Sequence, residues 1–316
     1  MFSIVTGGAG FIGSHLVDAL VERGDRVLVI DSLSSGSRAH IEGHINTGKV
    51  ELVVANLLAD GWQGVCKGAD RIFHLAADPD VRGSAAHPYP VYENNVIATV
   101  RVLEAMREYK VPEFVFTSTS TVYGEASIIP TPEEYSPMIP ISVYGASKLA
   151  SEAMIASYCH TYKIKGSVFR FANIIGARSN HGVIFDFIRK LRRDPTKLEI
   201  LGDGTQTKSY LSVGACVDGM IFAAEHGPEL YNFYNIGSTD WIDVVSLAEI
   251  VVSEMGLSDV EFVFTGGDRG WVGDVPKMLL SVQKIMDLGW KPGIGSEESV
   301  REAVLAGLSE FTGSRM

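Results

Sequence analysis

Apolar residues in the N-terminal half follow two alternating patterns. Short unbroken runs predict β-strands: Ser3-Ile4-Val5-Thr6, Arg26 to Asp31, Arg71 to Ala76, Phe114-Val115-Phe116-Thr117 and Ser167 to Phe171. Between them, Phe11 to Arg23, Asn95 to Tyr109 and Val143 to Tyr162 place apolar positions at helical spacing, and Gly24 follows the first as a helix stop. Strands this uniformly apolar suit a parallel sheet covered on both faces. Repeated strand–helix–strand units wind such a sheet in both directions. The expected class is α/β with a doubly wound parallel sheet. After about Asn173 the pattern changes, with longer loops and clusters such as Leu201-Gly202-Asp203-Gly204 and Gly266-Gly267-Asp268-Arg269-Gly270. The expected organisation is therefore a sheet domain over 1–173 and a smaller C-terminal α/β region over 174–316, with a segment near 230–238 returning to the main sheet.

Bulk properties narrow the classes of partner. The chain has 316 residues, 46% of them hydrophobic and 21% charged, with a formal net charge of −11. Nucleic acid and anionic membrane surfaces attract positive charge, so this balance argues against both as partners. Cys66, Cys159 and Cys216 are scattered, odd in number and without CxxC spacing. They read as reduced core thiols in a cytoplasmic protein rather than as a disulfide frame or a metal site. The first strand starts near Phe2 with no basic segment before it, so no leader is expected. No apolar run reaches the roughly 18–20 residues needed to span a bilayer. The tail from Thr312 to Met316 reads as a frayed end.

Candidate chemistry begins at the first turn, Thr6-Gly7-Gly8-Ala9-Gly10-Phe11-Ile12-Gly13. Gly7, Gly10 and Gly13 fit G-x-x-G-x-x-G between a strand and a helix, where missing side chains admit a pyrophosphate and the helix N-terminus faces it. Asp31 ends the second strand, 18 residues beyond Gly13. A carboxylate there can accept bonds from both adenosine ribose hydroxyls and would repel a 2′-phosphate. No arginine follows in Ser32-Leu33-Ser34-Ser35-Gly36, so NAD is favoured over NADP. Tyr144-Gly145-Ala146-Ser147-Lys148 puts a phenol and an ammonium on one helix face. A free tyrosine has a pKa of about 10. A nearby ammonium and a positive nicotinamide both favour the phenolate, which would tune Tyr144 towards neutral pH as a general base. Upstream, Phe116-Thr117-Ser118-Thr119-Ser120-Thr121 runs a strand into a hydroxyl-rich end at the carboxyl edge of the sheet.

With these residues in view, the sequence resembles the extended short-chain dehydrogenase/reductase family, whose core is a Rossmann fold, and within it the UDP-galactose (UDP-glucose) 4-epimerase-like members. The likeness runs from about Phe2 to Pro292 and rests on TGGAGFIGSHL, HLAA at 74–77, ENNV at 93–96, TSTSTVYG at 117–124, YGASK at 144–148, RFANIIG at 170–176, GDGTQTKSY at 202–210, RGWVGDV at 269–275 and LGWKP at 288–292. The resemblance implies that Tyr144, Lys148 and Thr119 are catalytic, with Thr119 on the sugar 4-hydroxyl. It places Phe11 and Ile12 on the pyrophosphate and Ser32, Ser35 and Gly36 beside the adenosine. Leu75, Ala76, Ala77, Asp78, Pro79, Asn94 and Thr117 would line the rest of the NAD site. Asn56 and Leu57 would sit against adenine, where the family usually has Asp. Asn173, Gly182, Val183, Leu198, Lys208, Tyr210, Arg269, Asp274 and Met278 would hold the nucleotide sugar. Lys208-Ser209 stands where the family usually has Arg-Asp, which keeps a charge but loses a bidentate fork.

Family members that eliminate water carry Asp-Glu after the threonine of the TSTST window, and decarboxylating members carry Ser-Glu. This chain has Ser120-Thr121, so an oxidise-and-return 4-epimerisation of UDP-galactose and UDP-glucose is expected. A UDP-N-acetylhexosamine or another nucleotide sugar stays open as substrate, because Met278 falls at the position facing the sugar 2-substituent. A 4,6-dehydratase or reductase and a non-catalytic NAD(H) sensor are the alternatives. The family likeness also implies a homodimer through the helices at Asn95–Tyr109 and Val143–Tyr162, with Ala150, Ala153, Met154 and Tyr158 as candidate contacts.

Overall fold

The computed structural model describes residues 1–271 and 273–313. Val272 of the RGWVGDV motif, and Ser314 to Met316 of the expected frayed tail, lie outside the described residues. The chain divides into two compact units: 1–125, 136–170 and 220–234 form the first, and 126–135, 171–219 and 235–316 the second.

The sheet comprises β1 (Phe2–Thr6), β2 (Arg26–Asp31), β3 (Val50–Val54), β4 (Arg71–His74), β5 (Glu113–Thr119), β6 (Lys165–Phe171) and an edge strand Tyr231–Ile236. Their order is Tyr231–Ile236, β6, β5, β4, β1, β2, β3. The pairs β1–β2, β2–β3, β1–β4 and β4–β5 are parallel. Chain direction across the sheet reverses between β1 and β4, so the loops leaving these two strands open side by side at its carboxyl edge, the usual ligand position in such folds. The strands are apolar because both faces are covered: Ile4, Val5, Ile72, Phe73, Phe114 and Val115 are each wholly buried. β3 escapes the pattern reading because Glu51 and Val54 on it are exposed at the sheet's edge.

Helix ends follow local chemistry. Phe11–Glu22 stops before Gly24, whose φ of +85° suits a residue without Cβ. Val143–Tyr162 starts where the Ser142 hydroxyl accepts from Gly145 N at 3.0 Å, and ends at left-handed Lys163. The helix expected from Asn95 is more complex. A short turn Pro88–Tyr92 leads into a π-helical turn Glu93–Ile97 before Ala98–Tyr109. Such wide turns recur at functional sites. Here the wide turn carries Asn95, which is buried.

The second unit is built from short ladders. Asn173–Ile175 pairs with Tyr210–Ser212, Thr207–Lys208 pairs with both Ile242–Asp243 and Lys277–Met278, and Lys197–Ile200 pairs with Glu261–Phe264. Helices Val183–Arg193, Val244–Glu254 and Ser296–Gly313 supply apolar faces to its core, among them Phe187, Leu191, Leu247, Val251, Val300 and Val304. All three cysteines are buried and free. Burial pushes the Cys66 thiol up to about 12 and that of Cys159 to about 11. Among the described residues no helix is long and apolar enough to cross a membrane.

One buried charge pair holds the amino-terminal edge of the first unit. Arg71, 1% exposed, donates from its Nη2 to Asp25 Oδ2 at 2.8 Å and from Nε to Ser3 Oγ at 2.9 Å. Burial works against the Asp25 carboxylate, yet the bonds from Ser3 and Arg71 hold it below its usual range. A depressed carboxylate contributes stability above its unfolded pKa and loses it as pH falls through the folded one. Asp25→Asn removes the nearer of two carboxylates beside the buried guanidinium, Glu225 Oε1 remaining 3.6 Å from its Nη1, and should cost about 1–3 kcal/mol in urea unfolding at neutral pH. That deficit should begin to shrink below about pH 4, where the unfolded carboxyl takes up its proton, and vanish only once pH falls through the lower folded-state value.

Candidate active site

The glycine turn and the loop after β4 are in contact. A Cβ on Gly7, at φ +71°, would fall 2.7 Å from Ala76 N, and one on Gly13 would fall 2.1 Å from Gly7 O. Only a chain lacking a Cβ at residue 7 can bring Leu75 and Ala76 against the turn, and Ala77 and Asp78, partly exposed like them, follow directly in the chain. Gly10 caps the Phe11–Glu22 helix with no side-chain bond. The first amides of that helix, at Phe11, Ile12 and Gly13, are therefore left for an outside acceptor such as a phosphate.

Asp31 serves the turn as well. Its Oδ2 accepts from Ala9 N at 2.9 Å and its Oδ1 from Leu33 N at 2.8 Å. Each oxygen keeps a second lone pair for a ribose hydroxyl. Ser32 and Ser35 beyond it are exposed. A Cβ on Gly36 would fall 2.9 Å from Ala9 C, so this loop too runs close over the turn. Of the next pair, Asn56 is exposed and its Oδ1 accepts from Leu58 N. Leu57 is packed in the core, and its carbonyl accepts from Trp62 Nε1 and Arg101 Nε.

The Val143–Tyr162 helix brings Tyr144 and Lys148 to the end of β5. Lys148 Nζ donates to Thr117 O at 2.9 Å and lies 4.7 Å from the centre of the Phe116 ring. Burial lowers its ammonium to about 8, with the Glu152 carboxylate working in the opposite direction. Burial pushes the Tyr144 phenol up to about 12; its hydrogen bond with Thr119 pulls down and the Asp78 charge pushes up further. The tuning of Tyr144 towards neutrality was expected from the ammonium together with a positive nicotinamide, and the chain's own groups alone leave the phenol high. The ammonium is engaged by Thr117, and desolvation dominates the phenol. Thr119 itself is 8% exposed and accepts from Thr121 N at 3.2 Å, which fixes its hydroxyl.

In the second unit two of the short ladders carry several of the remaining candidates. Asn173 sits opposite Tyr210 and Lys208 opposite Met278. Asn173 Nδ2 donates to Ser209 O at 3.0 Å. Lys208 Nζ is 2.5 Å from Asp274 Oδ1, Gly270 N donates to Asp274 Oδ2 at 3.0 Å, and Arg269 Nη1 donates to Asp274 O at 3.4 Å. Asp274 therefore binds both arms of this cluster, and Lys208 already has a carboxylate partner. Burial raises the Tyr210 phenol. Gly182, at φ +97°, precedes Val183 at the start of the Val183–Arg193 helix. Leu198 is wholly enclosed in the core of the unit, which leaves only its backbone for recognition.

Residues 3–237 match the model of the NAD dependent epimerase/dehydratase family. The chain belongs to this family. A solved UDP-galactose 4-epimerase is 43% identical, with a TM-score of 0.88 covering 98% of this chain and 99% of that one. The UDP-glucose 4-epimerase of Thermus thermophilus, solved in complex with NAD, is 31% identical with a TM-score of 0.86, over 98% and 99%. A UDP-N-acetylglucosamine 4-epimerase from Methanobrevibacter ruminantium, in complex with UDP-N-acetylmuramic acid, is 28% identical with a TM-score of 0.89, over 98% of each chain.

NAD is the cofactor of the epimerase/dehydratase family, and the cradle fits it: the glycine turn is closed to side chains, and Asp31 offers acceptors where the ribose of a dinucleotide lies. The sequence reading singled out Asn94, whose Nδ2 donates to Pro90 O. Its neighbour Asn95 went unnoticed. Asn95 Oδ1 accepts from Asp78 N at 2.7 Å, and its Nδ2 donates to Ser147 Oγ at 2.9 Å, which in turn donates to Tyr144 O at 2.7 Å. One amide thus ties the loop after β4 to the helix of the Tyr–Lys pair. The available signal was the Asn-Asn pair, from which periodicity cannot choose the inward member once a π-helical turn shifts the register. Asp31→Asn removes one acceptor and weakens the tie to the turn, so NAD affinity should fall roughly 10- to 100-fold by calorimetry, as expected for losing about 1.5–3 kcal/mol of charged hydrogen bonding.

Proposed function

We propose that this protein is an NAD-dependent 4-epimerase of a UDP-linked hexose, interconverting UDP-galactose and UDP-glucose. The observation that carries the reading is the trio Tyr144, Lys148 and Thr119 at the end of β5, with a hydroxyl-only continuation through Ser120 and Thr121. Elimination or decarboxylation needs a carboxylate there, and neutral hydroxyls are poor acids and bases at neutral pH. Relatives named as UDP-galactose and UDP-glucose 4-epimerases support the substrate class.

NAD, when bound, supplies a reversible two-electron acceptor and a positive ring. Tyr144 then takes the proton of the sugar 4-hydroxyl, which Thr119 holds by hydrogen bond. Burial holds the phenol near 12, and a positive ring beside it would favour the phenolate. Lys148 holds a cationic donor beneath the site through Thr117. The 4-keto sugar turns over so that C4 would take its hydride back on the opposite face, and Tyr144 returns the proton to O4. Lys208 and Arg269 supply the positive charge a diphosphate requires, and Asn173 a neutral donor. Tyr144→Phe should lower turnover of UDP-galactose by about 100-fold or more while the purified protein still carries NAD; turnover close to wild type would overturn the assignment.

Met278 favours a second substrate. It is partly buried, opposite Lys208 in the ladder, and a flexible thioether can yield to a bulkier 2-substituent. The UDP-N-acetylglucosamine 4-epimerase relative supports this wider range. Met278→Tyr should raise KM for UDP-N-acetylglucosamine at least about tenfold, the loss of about 1.4 kcal/mol, and leave UDP-galactose within a few-fold. Equal effects on both sugars would remove Met278 from the specificity account.

A further inference from the structure

The first unit buries a second charged group beside the Tyr–Lys pair that the reaction scheme does not use. Glu152 is 3% exposed and lies four residues beyond Lys148 on the same helix face. Its carboxylate takes a fork from Arg170 of β6: Nη2 to Oε2 at 2.7 Å, and Nε to Oε1 and Oε2, each at 3.1 Å. Ser118, between Thr117 and Thr119 on β5, donates its hydroxyl to Glu152 Oε1. Arg170, 4% exposed, donates through Nη1 to the Tyr123 hydroxyl at 2.9 Å, and its guanidinium stacks over Tyr123 and Phe233.

A buried ion pair gains little net stability over apolar residues of the same volume, because both charges lose their water. This pair also reaches the strand that frames the site through Ser118, which lies between Thr117, whose carbonyl takes Lys148, and Thr119. The charged and titratable groups around Lys148 are few. His74 of β4 is held neutral by burial, near 3, between Thr6 Oγ1 at 2.7 Å and Thr99 Oγ1 at 3.0 Å. Tyr144 is neutral at rest. Asp78 acts on Tyr144, and Arg170 is committed to Glu152. Glu152 is the anion whose field acts on Lys148.

We propose that Glu152 is a positioning residue for the Tyr144–Lys148 pair, keeping the Lys148 ammonium charged in its buried site and, through Ser118, pinning the end of β5 that presents Thr117 and Thr119. Arg170 holds the carboxylate aimed through its fork. The chemistry this assists is the transfer set out under the proposed function, and the inference rests on that reading for its purpose, though not for its measurement.

The charge on Lys148 can be read directly by NMR titration of lysine side chains labelled at Cε and Nζ in the full-length protein, with the signal assigned through Lys148→Met. Wild type should titrate near 8. Glu152→Gln alone leaves Arg170 unpaired and is expected to unfold readily, so the informative protein is Glu152→Gln/Arg170→Gln, which removes both charges. Its Lys148 midpoint should still fall, by less than the roughly one unit that goes with losing a close opposite charge alone, because Glu152 is the charge acting on Lys148 and the guanidinium lies behind it, and the alkaline limb of UDP-galactose turnover should move down with it. Arg170→Gln should move the midpoint up, because the carboxylate is then left to Lys148. A folded double variant with a wild-type midpoint, or shifts of the same sign in both variants, would overturn the proposal. A midpoint that shifts as expected in a protein that epimerises no sugar would leave the role of Glu152 standing and refute the functional reading instead.

Discussion

The first unit depends on one close approach. The turn after β1 must pass so near the loop after β4 that a methyl group at residue 7 would meet Ala76 N at 2.7 Å. That contact exists because the strand order reverses between β1 and β4, bringing two loops far apart in sequence to the same edge. Asp31 tightens it from the other side by accepting from Ala9 N. The glycines therefore do two things with one absence. They permit the packing of the turn, and they leave backbone amides facing outward where an anion can be held.

Around that edge the electrostatics are arranged by burial more than by attraction. Tyr144 is driven up and Lys148 down for the same reason, loss of water. The groups that organise them are further from the reaction: Asn95 from the π-helical turn, Ser147, Ser118, and the Glu152–Arg170 pair. Each is a short, fully bonded link between neighbouring elements, the kind of polar network that defines one geometry in a low-dielectric interior.

The sequence made the large elements readable wherever burial was two-sided or capping was explicit. The helix Val143–Tyr162 was expected at its observed ends, and β1, β2 and β4 start within a residue of their predicted positions. β3 was missed because an edge strand with Glu51 and Val54 in solvent lacks an apolar run. The helix expected from Asn95 was simplified because a π-helical turn breaks the 3.6-residue period that the reading relies on. Motif positions alone also do not say which atoms are free: Leu57 and Leu198 turn out to be core side chains, and Lys208 is already paired with Asp274. A partnership between residues so distant in sequence leaves no local trace.

The central claim is that C4 of a UDP-hexose is oxidised and restored at this site without exchange with water. The most direct measurement is proton NMR of UDP-galactose incubated in D2O with the purified protein, carried out first without added NAD and then with it. The account predicts that UDP-glucose accumulates to a steady ratio and that the C4 position keeps its proton through many turnovers. Deuterium appearing at C4, or no interconversion of UDP-galactose even with NAD present, would contradict it.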